Sequence, residues 1–181
     1  MEGIEGMNLI QEGEYEDSSQ GTGDFQVGYS GSEGKLANPT DRVKRVSWSK
    51  ATTQGYRIGA RGGHSAVVAD YQLIVFGGHH YEGKGEFKCV NETCVLDIET
   101  ATWQLVRCGG ELPQPRYGHC CELVGSRMFV FGGRGAGETG RPLRDIHALD
   151  LVDWVWVPIN ATTQGPGPRF NHASARVGAK V

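Results

Sequence analysis

The sequence contains little that would direct the chain into a membrane or out of the cell. Met1 is followed by neither the basic start nor the apolar stretch of a secretory signal. No apolar run approaches the roughly 18 residues that span a bilayer. Five cysteines, an odd number, favour reduced thiols over a set of disulfides. We therefore expect a protein of the cytoplasm or the nucleus that does not contact membranes.

The sequence also lacks the charge pattern of a nucleic-acid-binding protein. Its formal net charge is −3, from 18 basic and 21 acidic residues. Residues 1–40 hold eight acidic residues and one lysine, which leaves the remainder at +4. The basic residues of that remainder are mixed with acidic ones, whereas a nucleic-acid interface usually shows as a clustered basic face. We expect no nucleic acid among the partners.

Motifs for catalysis, cofactors and metals are missing as well. There is no Gly-x-Ser-x-Gly elbow and no His-Glu-x-x-His sequence. Residues 133–137 resemble a phosphate-binding loop, but the residues that follow do not begin a helix. Cys89, Cys94 and Cys108 lack the paired Cys-x-x-Cys spacing of zinc sites. We expect no catalytic residue, no cofactor and no metal.

The chain does contain an internal repeat. Two copies begin 55 residues apart, and the opening of a third follows after 53 more. Glycine, at 28 of 181 residues, has about twice its usual share, and this favours many turns and β structure. The corresponding segments of the two copies are residues 61–64 and 116–119, residues 75–78 and 130–133, residues 96–97 and 149–150, and Trp103 and Trp156. The third opening is residues 169–172.

Each copy resolves into four short strands, named a to d. Strand b is a dense apolar run, which is typical of a strand covered on both faces. The expected ranges are 64–68 and 119–123 for strand a, 73–76 and 128–131 for b, 94–98 and 147–151 for c, and 102–106 and 155–159 for d. Trp48 lies 13 residues before Arg61, the spacing that separates Trp103 from Arg116. Residues 45–50 are therefore interpreted as strand d of a preceding blade.

These features resemble the kelch repeat of β-propellers. The resemblance rests on Phe-Gly-Gly after strand b, the tryptophan of strand d, and Pro-x-Pro-Arg-x-x-His before strand a, over about residues 45–181. The repeat is too long for the WD40 type, and the sialidase box is absent. The resemblance implies an all-β fold of kelch-type β-propeller blades, each a four-stranded antiparallel sheet. The glycine pair would permit positive φ and close backbone approach, and the tryptophan would wedge between blades.

The chain is expected to have two regions. Residues 1–44 form a Gly/Ser/acidic tail with too few apolar residues to fold, so we expect disorder there. Residues 45–181 comprise a partial blade (45–60), two repeats (61–115 and 116–168) and the start of a third (169–181). A closed propeller needs roughly four to eight blades, so we expect an incomplete propeller. A fragment of a longer chain is the favoured explanation, and assembly from several copies or an open arc are the alternatives.

Residues that invite a chemical role have structural explanations in the repeat. Cys120 and Cys121 stand where the first copy has Ser65 and Ala66, so they are expected to pack as small core residues. A structural role, with a hydrogen bond at the start of strand a, is expected for the histidine that recurs as His64, His119 and His172. His79 and His80 have no counterpart in the second copy, and neighbouring residues on a strand point to opposite faces.

The long loops are the expected binding surface. In an up-and-down blade the b–c and d–a loops share one face, and here they span residues 79–91, 107–115, 134–144 and 160–168. Function concentrates on long loops of a rigid scaffold, and Arg and Tyr are favoured interface anchors. The candidate partner-binding residues are His79, His80, Tyr81, Lys84, Arg107, Arg134, Arg141 and Arg144. The arginines of residues 134–144 favour an acidic ligand.

The resemblance implies a non-catalytic protein–protein interaction scaffold that presents these loops to a protein or peptide. Two alternatives stay open. One is a fragment of a kelch-propeller oxidase, whose copper would need a converging set of Tyr and His ligands that we cannot assemble from this sequence. The other is a fragment of a ubiquitin-ligase substrate receptor, which usually carries an adaptor domain, and residues 1–44 are too short and polar to form one. Blade faces without a neighbour should also make the chain self-associate.

Overall fold

The computed structural model describes residues 25–26, 47–48, 50–84, 86–135, 140–161, 165–178 and 180–181. The chain divides into two units, Met1–Thr52 and Thr53–Val181. In the first unit, strand β1 (Phe25–Gln26) pairs antiparallel with β2 (Ser47–Trp48). Trp48 thus lies in a strand, and its membership of a preceding blade stays a prediction. The rest of residues 1–44, for which we expect disorder, lies outside the described residues.

The second unit is built from short strands. In chain order they are β3 (Gln54–Gly55), β4 (Ser65–Ala69), β5 (Gln72–Phe76), β6 (His79–Gly83), β7 (Glu86–Cys89), β8 (Thr93–Asp97), β9 (Thr102–Val106), β10 (Gly109–Gly110), β11 (Arg116–Tyr117), β12 (Cys120–Val124), β13 (Arg127–Phe131), β14 (Arg134–Gly135), β15 (Ile146–Asp150) and β16 (Val155–Ile159). Among the described residues, no helix is long and apolar enough to cross a membrane.

Both repeats form the expected four-stranded antiparallel blade. The first sheet has the order β3-β9-β8-β5-β4 and the second β10-β16-β15-β13-β12. Strands a to d are β4, β5, β8 and β9 in the first blade and β12, β13, β15 and β16 in the second, within one residue of the expected bounds. The all-β fold of kelch-type blades is therefore confirmed.

Each sheet also has a fifth strand that the sequence did not reveal. The segment that leads into a blade runs along its outer edge, so that β3 pairs parallel with β9 and β10 pairs parallel with β16. Gly55 and Gly110 have positive φ values of 85° and 78°, and a Cβ at either would collide with the carbonyl of Trp103 or Trp156. A strand of two residues is too short to show a periodic pattern. Apart from these glycines, the sequence therefore held no signal for β3 and β10.

The core lies between the two blades. It consists of Ile74, Phe76 and Val95 from the first sheet and Met128, Val130, Leu149 and Trp156 from the second. Trp156 is 1% exposed, and its ring centroid lies 4.7 Å from that of Phe76. Burial of such a side chain contributes about 1.5–3 kcal/mol. The wedge expected of the repeated tryptophan is thus present at Trp156, while Trp103 is only partly buried.

The opening of the third repeat continues the same packing. The backbone N–H of Gly118 donates to Gly63 O at 2.8 Å, and that of Asn171 donates to Gly118 O at 2.7 Å. These residues occupy one repeat position, and all three have positive φ, between 52° and 64°. Ser174 Oγ donates to Glu122 Oε1 at 2.6 Å. Residues 165–178 therefore lie against the second blade as that blade lies against the first.

Candidate functional site

The b–c loop of the first blade is an antiparallel hairpin of β6 and β7. Its register pairs His80 with Lys88 and Tyr81 with Phe87. Neighbouring residues on a strand face opposite sides, so His79, Tyr81 and Phe87 share one face of the hairpin. His80 lies on the other face, where its Nε2 is 3.3 Å from Glu82 Oε1. The expectation that the two histidines point apart is confirmed.

One face of the hairpin begins a continuous row of rings, here called the aromatic row. It consists of Tyr81, Phe87, His79, Tyr117 and Phe170. Successive ring centroids are 5.3, 5.2, 4.8 and 6.5 Å apart. The guanidinium of Arg134 closes the row, with Cζ 5.4 Å from the centroid of Phe170. The row thus joins side chains of both repeats and of the third opening.

The aromatic row contains three residues that the sequence analysis missed. Tyr117 and Phe170 occupy the second position of the repeated Arg-x-x-His segment, where the first copy has Gly62. A Cβ on Gly62 would lie 3.4 Å from the ring of His79, so His79 packs over the position that lacks an aromatic side chain. The recurrence of aromatics there was a readable signal. Phe87, which is 64% exposed, had no such signal in the sequence.

The predicted basic residues are only partly brought together. Arg134 joins the aromatic row, and its Nε donates to Gly140 O. Arg144 is exposed and lines a cavity of about 460 Å³ with Gln114, Asp145 and Pro168.

The remaining predicted residues lie apart from the aromatic row. Arg141 is exposed on the same b–c loop as Arg134 and Arg144. Lys84 lies at the turn of the hairpin with a φ of 54°. Arg107 lies between β9 and β10, where the chain crosses to the outer edge of the second blade. The pKa of Glu82, beside the hairpin's His80, is held below its ordinary value by a hydrogen bond from that histidine and by Lys88.

Two arginines of the repeat are structural rather than available for binding. Arg116 is fully buried, and its Nη2 donates to Asp145 Oδ2 at 2.7 Å while its Nη1 donates to Asp145 Oδ1 at 2.9 Å and to Gly132 O at 2.8 Å. Arg61 repeats this arrangement with a single contact to Glu92 Oε2 at 2.7 Å. Each carboxylate immediately precedes strand c, so the pair fixes the end of the b–c loop. No local pattern in the sequence indicated these pairs.

Among the interior side chains, the pKa shifts of His119 and Cys121 favour the neutral forms of both groups. Burial, together with the charge of Arg116, lowers the pKa of His119 to about 4. Burial raises the pKa of Cys121 to about 11, and this thiol packs against the core between the blades, as expected. Cys120 Sγ lies 3.0 Å from His172 Nε2. Within the described ranges, no group of three His, Cys, Asp or Glu side chains could hold a metal ion.

The repeat geometry agrees with the comparison with known families. The model described as the KLHDC2/KLHL20/DRC7 Kelch-repeats domain matches residues 34–181. The chain belongs to the kelch-repeat family. This kelch chain resembles a solved structure of YjhT, with a TM-score of 0.53 and 16% identity over 66% of this chain and 42% of the other. That likeness concerns the fold alone.

Several curated proteins are similar to this kelch chain in sequence. Acyl-CoA-binding domain-containing protein 5 of Arabidopsis thaliana is 32% identical over 74% of the chain and 20% of its own length. Dynein regulatory complex subunit 7 of Chlamydomonas reinhardtii is 32% identical over 65% and 10%. Kelch domain-containing protein 10 of Rattus norvegicus is 30% identical over 74% and 32%. The chain thus spans a third or less of the length of these relatives.

Proposed function

We propose that this kelch chain is a non-catalytic interaction scaffold whose long-loop face binds a protein or peptide partner with acidic residues. The aromatic row with Arg134 at its end is the observation that carries the proposal. Tyr81 and Phe87 are 59% and 64% exposed, although each is large and apolar enough to favour burial. Exposed aromatic side chains beside arginine are typical of the anchors of protein interfaces.

The charges around the aromatic row favour an acidic ligand. Arg134, Arg141 and Arg144 lie on one loop, and the neighbouring carboxylate of Asp145 is already engaged by the buried Arg116. On the hairpin, Glu82 lies 3.4 Å from Lys88 Nζ. Arginine can hold a carboxylate through two parallel hydrogen bonds, so acidic side chains next to an apolar anchor would complement this surface.

The relatives support an interaction role without fixing the partner. Their names describe an acyl-CoA-binding domain-containing protein, a dynein regulatory complex subunit and a kelch domain-containing protein. A repeat shared by proteins of such different names is best explained as a binding module. The five cysteines are unpaired, which supports a place in the cytoplasm or the nucleus.

Charge reversal on the two faces tests the proposal. The probe is a short fluorescein-labelled peptide of Glu, Asp and Tyr, and its anisotropy reports binding to the full chain. The triple variant of Arg134→Glu, Arg141→Glu and Arg144→Glu should weaken binding, mainly at low salt, because exposed pairs are individually weak and screened. Arg144→Glu and Arg127→Glu form a matched pair, since Arg127 lies on the short a–b turn of the opposite face. Loss of binding in the Arg127 variant alone would refute the assignment of the face.

A further inference from the structure

A second concave surface lies on the face of the short turns. The a–b and c–d turns of both blades meet there around a cavity of about 600 Å³. Its lining includes Val68, Tyr71, Val152, Asp70, Asp97 and Ser126. Neither the charge pattern nor the motifs of the sequence pointed to this surface, because its residues come from four separate turns.

The apolar part of this groove is unusually open to solvent. Tyr71 is 63% exposed and Val152 is 72% exposed, and both lie at the tips of turns where polar residues are the common choice. Val68 contributes a further exposed side chain from strand a of the first blade. Exposed apolar side chains grouped around a concavity mark an interaction site more often than singly scattered ones do.

The charge around the groove has one dominant sign. The four short turns, residues 69–72, 97–102, 124–127 and 150–155, hold one basic residue, Arg127. Their five acidic residues are Asp70, Asp97, Glu99, Asp150 and Asp153. Arg127 is itself engaged, because its Nε donates to Asp150 Oδ2 at 3.1 Å.

Two further contacts engage charged residues on this side of the blades. Arg176 of the third repeat reaches this side, where its Nη1 donates to Leu123 O at 2.6 Å. Asp97 accepts hydrogen bonds from Thr100 N and Oγ1, each at 2.8 Å, within its own turn. The acidic character therefore rests mainly on Asp70, which lines the cavity, and on Glu99 and Asp153, which belong to the same turns but not to the lining.

We infer that this groove binds a peptide segment in which basic residues flank an apolar one. The apolar side chain would lie against Tyr71 and Val152, and the flanking lysine or arginine side chains would meet Asp70 and Asp153. The inference goes beyond the proposed function, because the long-loop face carries the opposite charge and would repel such a segment. The two blades then form a bridge between an acidic partner on one face and a basic partner on the other.

Binding of a defined probe tests the inference in the full chain. The probe is a short fluorescein-labelled peptide with two lysines on each side of a tryptophan, and it carries a photoreactive benzophenone. We expect saturable binding, with cross-links to the short turns in mass spectra. The double variant Asp70→Asn and Asp153→Asn should weaken binding roughly fivefold, and Tyr71→Ser with Val152→Ser should weaken it at least as much. Asn tolerates the positive φ of 51° at Asp70, so this variant should still fold.

The controls separate this groove from the long-loop face. Arg144→Glu should leave binding of the basic peptide unchanged or stronger, and the analogue with four glutamates in place of the lysines should not cross-link to the short turns. No binding of the basic peptide, binding by both double variants as tight as that of the unchanged chain, or cross-links on the long loops would each overturn the inference.

Discussion

The imidazole of His119 occupies the space that a Cβ atom on Gly77 would need. Its Cε1 lies 2.9 Å from that position, and Arg116 O lies equally close. Gly77 has a φ of 66°, and the next residue, Gly78, donates its N–H to Arg116 O at 2.8 Å. In the second blade, a Cβ atom on Gly132 would likewise meet Arg169 O and the imidazole of His172. In each blade, the glycine pair is therefore the place where the first residues of the following repeat pack.

The first prediction is that Gly77→Ala destabilises the chain far more than Gly125→Ala. Gly125 has a similar φ of 59°, but a Cβ there would meet nothing within 4 Å. Both variants incur backbone strain of about 1–2 kcal/mol, and only Gly77→Ala adds overpacking of about 1–3 kcal/mol. Urea unfolding followed by circular dichroism measures the difference. Equal losses of unfolding free energy in the two variants would show that close approach of the blades is unimportant.

The second prediction concerns the repeated arginine–carboxylate pairs. Asp145→Asn should lower the free energy of unfolding by about 2 kcal/mol, because it removes the charged partner of a fully buried guanidinium. Glu92→Gln is the matched change in the first blade and should cost about 1 kcal/mol or less, since Glu92 makes one contact with Arg61 and is partly exposed. Thermal unfolding of both variants provides the measurement. A larger loss for Glu92→Gln would contradict this ranking.

Much of the fold could be predicted because the same residue pattern occurs in both copies of the repeat. Strand b is apolar throughout in both copies, and Phe76 and Val130 are indeed buried between the blades. The glycine pair after strand b predicted positive φ and close backbone approach, and both are present at Gly77 and Gly78. Agreement between copies separates structural residues from local ones, which a single copy could not do.

The candidate site was predicted less completely because its geometry joins residues that are far apart in the chain. The aromatic row brings Phe87, Tyr117 and Phe170 together from three repeats, and the sequence of any one loop shows none of these contacts. The pairing of Arg116 with Asp145, 29 residues later, left no local pattern. Arg107 lies just before the outer strand β10, and its part in binding stays a prediction.

The third prediction is that acid destabilises the chain through His119. Its pKa in the folded chain is about 4, below the ordinary value of 6.5, so the unfolded chain binds more protons between these values. The part of the unfolding free energy that depends on neutral His119 is therefore fully present above about pH 6.5. It is lost as the pH decreases toward 4, by about 3 kcal/mol in total. Unfolding free energies from urea titrations across this range provide the measurement.

Substitution at the same repeat position isolates this effect. His119→Gln should flatten the dependence on pH, and His64→Gln, at an exposed position, should keep it. Burial also lowers the pKa of His147 and of His172, so a smaller slope of the same sign should persist in His119→Gln. An unchanged slope in that variant would show that His119 is not the group responsible.

The last prediction is self-association through the second blade. Its face away from the first blade, which residues 165–178 cover only in part, carries Phe129, Phe131, Val157 and Ile159, and the last two are exposed. In the first blade the corresponding face, with Ile74 and Phe76, is covered by its neighbour. Because large apolar patches on soluble proteins are usually covered, the 181-residue chain should form oligomers whose mass rises with concentration in light scattering.

Paired lysine substitutions locate the contact. Val157→Lys with Ile159→Lys should shift the distribution toward the monomer, because each places a charge in the apolar contact. Leu112→Lys changes another exposed apolar residue, on a d–a loop, and should leave the oligomers unchanged. A monomer at every concentration, or equal dissociation by Leu112→Lys, would exclude this face as the site of association.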